Sequence, residues 1–266
     1  MSKLTDRDEL LFEQYKDGSN LDARIRLHQE FSTAETDLHR WLFERFEFPA
    51  GARVLEVGCG TGTLWKQNEG RVPFGLDVTL TDFSPGMLEA AKRALRGGLH
   101  EFTYETADVQ DLPFGDGEFD VVVANHMLYH VPDRETAFAE IRRVLKPDGT
   151  LYASTGGENH MREIYDVVDQ FSDGDRLTNT EFTLQNGADQ LSAWFDDVEL
   201  LCHQNALEVT EVEPFVDYVA SSVDVEADGP GDLAMDDLRA YVEERIADDG
   251  SIHVTKENGL FVARSA

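Results

Sequence analysis

The residues best placed to do chemistry lie in "VLEVGCGTG", Val54 to Gly62. Gly58, Gly60 and Gly62 recur at every second position, with Cys59 and Thr61 between them, and Glu56 stands inside the preceding apolar run. Glycines after a strand let backbone N–H groups approach a ligand closely. The dinucleotide form of such a loop is G-x-G-x-x-G, with a pyrophosphate on the helix that follows. The spacing here is one residue tighter, and a carboxylate beside the loop repels a pyrophosphate. It suits a ligand with an ammonium group. Taken alone, the loop also reads as a tight strand-to-helix turn.

Two further carboxylates follow at matching stations. Asp82, in "LTDFSPGML", lies 20 positions beyond Gly62 at the expected end of the next strand, where an acidic side chain accepts ribose hydroxyls. Asp77 is the rival, but it precedes the apolar "VTL" and lies at the strand's other end. Asp108, in "YETADVQDLPF", ends a third strand. There a carboxylate accepts the exocyclic amine of adenine while the Val109 N–H meets a ring nitrogen. Singly, Asp82 or Asp108 reads as a helix cap. In order, the three stations match the ammonium, ribose and adenine of S-adenosylmethionine, a ligand without phosphate. A nicotinamide-dependent oxidoreductase is disfavoured by the glycine spacing and by Glu56.

These stations need strands to carry them. Short apolar segments, "RVLEVG", "DVTLTDF", "FTYETAD", "FDVVVANH" and "TLYAST", alternate with the helical patterns "SPGMLEAAKRALRG" and "RETAFAEIRRVLKPDG", the latter opening near Asp133 and stopping at "KPDG". Alternation of this kind predicts an α/β fold: a Rossmann-like, doubly wound sheet of about seven mostly parallel strands with helices on both faces. Upstream, "LHRWLFERFEF" has apolar residues at helical spacing through Leu38, Leu42, Phe43 and Phe46. Downstream, "MREIYDVVDQF" and "DDLRAYVEERIAD" read as helices. "DVELLCHQNALEV" and "SIHVTKENGLFVARS" read as strands, the second as a hairpin turning at Glu257 to Gly259. "SSVDVEADGPGD" reads as a mobile loop, and Trp194 and Phe195 as core residues at a helix end. The expected organisation is a helical lid over 1–50 and one domain over 51–266, with a binding core at 51–155 and a substrate-side elaboration at 156–266.

From Arg53 to about Thr155 the chain closely resembles class I S-adenosylmethionine-dependent methyltransferases of the type 11 kind. The likeness rests on "VLEVGCGTG", "TDFSPGML", "ADVQDLPF", "FDVVVANHMLYHV" and "RRVLKPDGTLYAST". The resemblance implies that Glu56, Gly58, Cys59, Gly60 and Gly62 line the methionine portion of the cofactor. It further implies ribose on Asp82, adenine between Phe83 and Val109 with Met87 nearby, and Asp108 on the exocyclic amine. "NLDARIRLHQEFST" is similar to the lid of small-molecule members, which brings Tyr15, Arg24 or His28 towards cofactor or substrate.

Methyl transfer from a sulfonium is an in-line displacement with an activated leaving group, so alignment and exclusion of water do most of the work. A general base is needed only for a protonated acceptor. "ANHMLYHVPD", at the exit of the fourth strand, offers Asn125, His126, Tyr129 and His130. Asn125 is expected to reach the cofactor through its backbone or amide. His126 is the candidate for substrate contact and His130 the second catalytic candidate, each with a structural role as the alternative. The four-residue spacing of the histidines invites a metal only on a helix, and no third ligand accompanies them; no metal is expected. Glu158, Asn159 and His160 in "GGENH" stand near the pocket mouth or in a flexible loop. Cys59 is read as a small loop residue and not as a nucleophile.

Charge bounds the partners. The 53 acidic and 23 basic residues give a net charge of −30, and only 6 of the bases are lysine. Such self-repulsion is screened near molar salt, so the surface reads as adaptation to a salt-rich cytoplasm, as in a halophile. No basic stripe is available to displace counterions from nucleic acid. No apolar run reaches the roughly 18 residues of a membrane span, and "MSKLTDRDEL" lacks a signal-peptide core. Two cysteines fit a reducing compartment. A cytoplasmic methyltransferase acting on a small-molecule acceptor is the expectation. The alternatives are an RNA or protein methyltransferase and a non-catalytic cofactor-binding module.

Overall fold

The computed structural model describes residues 26–171, 181–222 and 235–265. Tyr15, Arg24 and most of "SSVDVEADGPGD" lie outside them. The described residues divide into two compact units. The larger holds those within 36–157, 180–203 and 258–265, the smaller those within 26–35, 158–179 and 204–257.

The larger unit begins with helix α1 (Leu38–Phe43), which Asp37 caps by accepting the His39 N–H at 2.9 Å. Strand β1 (Arg53–Val57) is followed by the short helix α2 (Thr63–Gln67), β2 (Asp77–Asp82) and α3 (Pro85–Ala94). Then come β3 (Phe102–Thr106), β4 (Phe119–Asn125), α4 (Arg134–Val144) and β5 (Leu145–Gly156). Pro85 opens α3 at its first position, behind Ser84 as cap. Asp133 caps α4 through the Thr136 N–H at 3.1 Å. Helix α4 ends at Val144, and "KPDG" falls inside β5, where the β4–β5 register slips between Phe119↔Leu145 and Val121↔Thr150. The bulge takes up Lys146 to Gly149, and Lys146 reaches back to Asp120 at 2.7 Å.

The seven-stranded sheet has the order β3-β2-β1-β4-β5-β7-β6, with β6 at Asp197–Val209 and β7 at Ile252–Arg264. β1, β2, β3, β4 and β5 pair in parallel, and β7 pairs antiparallel to β5. Successive side chains of a strand face opposite ways, and the core divides accordingly. Leu55, Val57, Val122 and Ala124 pack with Ala137, Phe138, Ile141 and Val144 of α4. On the other face Val54, Val121 and Val123 pack with α1, α2 and α3 through Leu42, Trp65, Leu88 and Ala91. Both faces are covered, as parallel sheets require, and this is the Rossmann-like arrangement expected. Phe195 lies in the first of these cores, beyond helix α6 (Gly187–Leu191), with Trp194 packed against it.

One expected element is wrong. The chain does not fold back at Glu257 to Gly259. Strand β7 runs unbroken through them, with Asn258 opposite Gly156 and Gly259 opposite Thr155. Gly259 is there for proximity and not for a turn. A Cβ on it would lie 2.8 Å from both the Leu201 carbonyl oxygen and Leu184 Cδ2.

The smaller unit has its own apolar core. Helix α5 (Arg162–Phe171) buries Ile164, Val167 and Val168 at helical spacing. They join Leu27, Phe31, Leu207, Phe215 and Val216, the last two from α7 (Val212–Ser222). Helix α8 (Met235–Asp249) adds Leu238 and Val242, and β7 adds Val254.

Candidate active site

The strand order reverses between β1 and β4, and in open α/β sheets ligands bind beyond the carboxyl ends of the strands at that point. The glycine loop leaves β1 there. Gly58, Gly60 and Gly62 all have left-handed φ, at 67°, 54° and 74°. The loop is pinned by bonds from the Cys59 N–H to the Thr81 carbonyl at 2.8 Å and from the Gly62 N–H to the Cys59 carbonyl at 3.0 Å. A Cβ on Gly58 would come 2.8 Å from the Cβ of Met127, whereas one on Gly60 would meet nothing within 4 Å. The open side of the loop is therefore at Gly60.

Asp82 ends β2, as expected. One carboxylate oxygen accepts the Gly60 N–H at 2.9 Å and the other the Ser84 N–H at 2.8 Å. It thus ties the glycine loop to the start of α3, a task that spacing alone does not reveal. Burial raises its pKa, and the two backbone donors oppose that shift.

Glu56 is 2% exposed, in the middle of the sheet. Trp65 Nε1 donates to its Oε2 at 2.6 Å and Asn125 Nδ2 to its Oε1 at 3.4 Å. Ser154 Oγ in turn donates to Asn125 Oδ1 at 3.1 Å. Burial pushes the Glu56 carboxyl up to about 7 against the pull of both donors, with the Asp82 charge adding to the rise. Burial and then the neighbouring Glu56 and Asp82 carboxylates push the Cys59 thiol up. It stays protonated and is no nucleophile.

Phe83 presents an apolar ring that is 40% exposed at the carboxyl end of β2, and Met87 lies half-buried in the first turn of α3. Asp108 follows β3 and accepts the Gln110 N–H at 3.0 Å, next to buried Val109. His126 follows Asn125 directly at the exit of β4, with a left-handed φ of 49°. Non-glycine residues held there cluster at functional sites. Its N–H donates to the Ser154 carbonyl at 3.0 Å, and its ring lies 6.4 Å from that of Tyr129. The Tyr129 and His130 rings are 4.4 Å apart. Leu128–His130 is a 3-10 turn, so the two histidines do not share an α-helical face.

Of the "GGENH" residues, Asn159 and His160 are tied to Glu257 within the smaller unit. The Asn159 N–H donates to the Glu257 carboxylate at 3.1 Å, and His160 Nδ1 accepts the Glu257 N–H at 3.2 Å. Desolvation, helped by Lys256, holds His160 down at about 4. Sequence reasoning missed Trp65 and Ser154. The available signal was a tryptophan nine positions after a strand carboxylate, where an indole N–H needs a buried acceptor.

Glycine loop, Asp82, Asp108 and the β4 exit occupy successive strand ends in the order the sequence suggested. Residues 55–153 match the methyltransferase domain. A ubiquinone biosynthesis O-methyltransferase of Xanthomonas axonopodis pv. citri is 39% identical over 109 residues, which cover 40% of this chain and 44% of the relative. The chain thus matches less than half the length of that relative. Among solved structures, phosphoethanolamine N-methyltransferase 2 of Haemonchus contortus superposes with a TM-score of 0.57 at 21% identity. The match covers 98% of this chain and 60% of that one. The [4+2]-cyclase SpnF superposes at 0.57 with 21% identity, covering 93% and 97%. These two share the fold of this chain.

Proposed function

We propose that this chain is an S-adenosylmethionine-dependent methyltransferase acting on a small-molecule acceptor. The reading is carried by the pairing of an open glycine loop with buried Glu56 and Asp82 on either side of it. A buried carboxylate whose donors are two neutral N–H groups suits an ammonium, and a loop open at Gly60 suits a ligand lying against its backbone. Glu56 and Asn125 hold the amino-acid end, with Gly58, Cys59, Gly60 and Gly62 along the methionine chain. Asp82 takes the ribose, Phe83, Met87 and Val109 flank the adenine, and Asp108 accepts its amine. When bound, the cofactor supplies a methyl group already activated by the sulfonium. The chain then aligns the acceptor and excludes water, and His126 at the β4 exit is the candidate to take a proton from a protonated acceptor, with His130 beside it.

The relative named for ubiquinone biosynthesis supports a small acceptor. The net charge of −30 disfavours RNA. The same acidity, with 6 lysines, supports a protein of a salt-rich cytoplasm, and no helix among the described residues is long and apolar enough to cross a membrane. A second reading is kept because the fold is shared with a cyclase, and fold alone does not decide the reaction. It is a cofactor-binding protein without methyl transfer.

Calorimetric titration with S-adenosylmethionine and S-adenosylhomocysteine in molar KCl, beside Asp82→Ala, tests the cofactor. Binding near 1:1 that the substitution weakens is expected. No binding by folded protein overturns the reading. Formation of S-adenosylhomocysteine across a panel of small phenols, amines and acids then separates enzyme from binding module.

A further inference from the structure

We propose that Trp65 and Asn125 form a two-point clamp that positions the Glu56 carboxylate for a ligand ammonium group, so that binding releases a proton from Glu56. The inference rests on the cofactor reading above and adds to it a positioning residue, Trp65, and a proton linkage.

The clamp draws on four elements. Ser154 of β5 donates to Asn125 of β4, Asn125 to one oxygen of Glu56 in β1, and Trp65 of α2 to the other. Trp65 is fully buried, with the rings of Phe43, Phe102 and Phe48 at 5.9, 5.6 and 6.3 Å. Its indole N–H is held in one direction by that packing. A carboxylate offers about four lone-pair sites, and the clamp uses two.

Among the described residues, the groups that face Glu56 carry no compensating positive charge. From β2 comes Asp82, which repels it, and from the glycine loop Cys59, whose thiol stays protonated. Helix α2 presents Trp65, β4 presents Asn125, and β5 backs Asn125 with Ser154, all neutral. The carboxyl is consequently half-protonated near neutrality, at about 7. An ammonium brought to the lone pairs that the clamp leaves unused favours the carboxylate. The O–H bond of Glu56 breaks, its electron pair stays on oxygen, the proton passes to buffer, and a carboxylate–ammonium pair remains.

The test uses S-adenosylhomocysteine, which keeps the ammonium and lacks the sulfonium. Calorimetry at pH 7 in phosphate and in Tris, in molar KCl, is expected to show about half a proton released per ligand, the fraction of Glu56 protonated there. Because only the ionised fraction binds well, Kd is expected to rise about tenfold from pH 8 to pH 6. Glu56→Gln should flatten that profile and abolish the proton release. Trp65→Phe keeps the aromatic packing and removes one donor. Its profile should move to higher pH by about one unit, costing roughly tenfold at pH 6 and less than about twofold at pH 8.5. A purely structural tryptophan would weaken binding equally at every pH. Such uniform weakening, zero protons exchanged by the wild type, or a slope that survives in Glu56→Gln would each overturn the inference while leaving the cofactor reading intact. Absence of binding at any pH would overturn both. The wild-type buffer pair decides the proton linkage even if Trp65→Phe fails to fold.

Discussion

Gly58→Ala and Gly60→Ala impose the same backbone strain and should have opposite consequences. Both positions hold a left-handed φ, 67° and 54°, which costs an L-residue roughly 1–2 kcal/mol. At Gly58 the new methyl group also meets Met127, 2.8 Å from its Cβ and 2.9 Å from its Cγ. The Met127 Cβ is fixed to the backbone and cannot rotate away, so overpacking adds roughly 1–3 kcal/mol. At Gly60 the methyl meets nothing within 4 Å, and its volume falls where the methionine portion of the cofactor is proposed to lie. Gly58→Ala should therefore lose roughly 2–5 kcal/mol of stability and Gly60→Ala only about 1–2. Gly60→Ala should nevertheless lose more than about tenfold in S-adenosylmethionine affinity, a loss of about 1.4 kcal/mol. Denaturant midpoints in molar KCl and calorimetric titration of both variants make the comparison. If Gly60→Ala binds like the wild type, the ligand does not lie against this loop. If Gly58→Ala is as stable as Gly60→Ala, contact with Met127 does not set the loop's position.

Glu56→Gln should stabilise the unliganded protein at alkaline pH. The folded-state pKa of Glu56 is raised to about 7 from 4.5, so its contribution is fully present below about 4.5 and is lost as pH rises through about 7, by roughly 3 kcal/mol. The midpoint of the variant relative to wild type should climb between pH 5 and pH 8; a constant difference would show that burial does not penalise the charge. Gly259→Ala should cost roughly 1–3 kcal/mol in thermal or chemical unfolding, because its methyl would press on the Leu201 carbonyl oxygen; a neutral result would mean that β7 shifts freely. Raising KCl from 0.1 to 1 M shortens the Debye length from about 10 to about 3 Å. The net charge of −30 should make Tm climb across that range; a flat or falling Tm would refute dominance of self-repulsion.

The parallel core was legible because each strand is a short apolar run bounded by turn residues, and "FDVVVAN" is buried on both faces, as such a run demands. The second long helix was readable as opening near Asp133, and the structure shows that Asp133 caps it, as Ser84 caps α3. The hairpin at Glu257 to Gly259 was misread because a glycine beside Asn is a turn signal on local grounds. What overrode it was contact with Leu184 and Leu201, more than fifty positions away in sequence. In the site, the order of Glu56, Asp82 and Asp108 was readable from strand ends. Where each carboxylate's lone pairs go was not. The Asp82 bond to Gly60 and the Trp65 bond to Glu56 depend on how α2 and β2 pack, and no spacing rule contains that.

Strand β7 lies between β5 and β6 in the sheet although it follows both in the chain. During synthesis, β6 emerges before its sheet neighbour β7, and the earlier chain offers it only the short bridge from Ser32 and Thr33 to Leu207 and Ala206. The wait covers the residues from Val209 to Ile252, which at ribosomal speed is roughly 2–9 s. For that time the edge of β5 and most of β6 expose unpaired backbone, the condition in which strands find wrong partners. Asp197, Glu199 and Glu208 put negative charge along β6, which opposes pairing of that strand with another copy while the late strand is awaited.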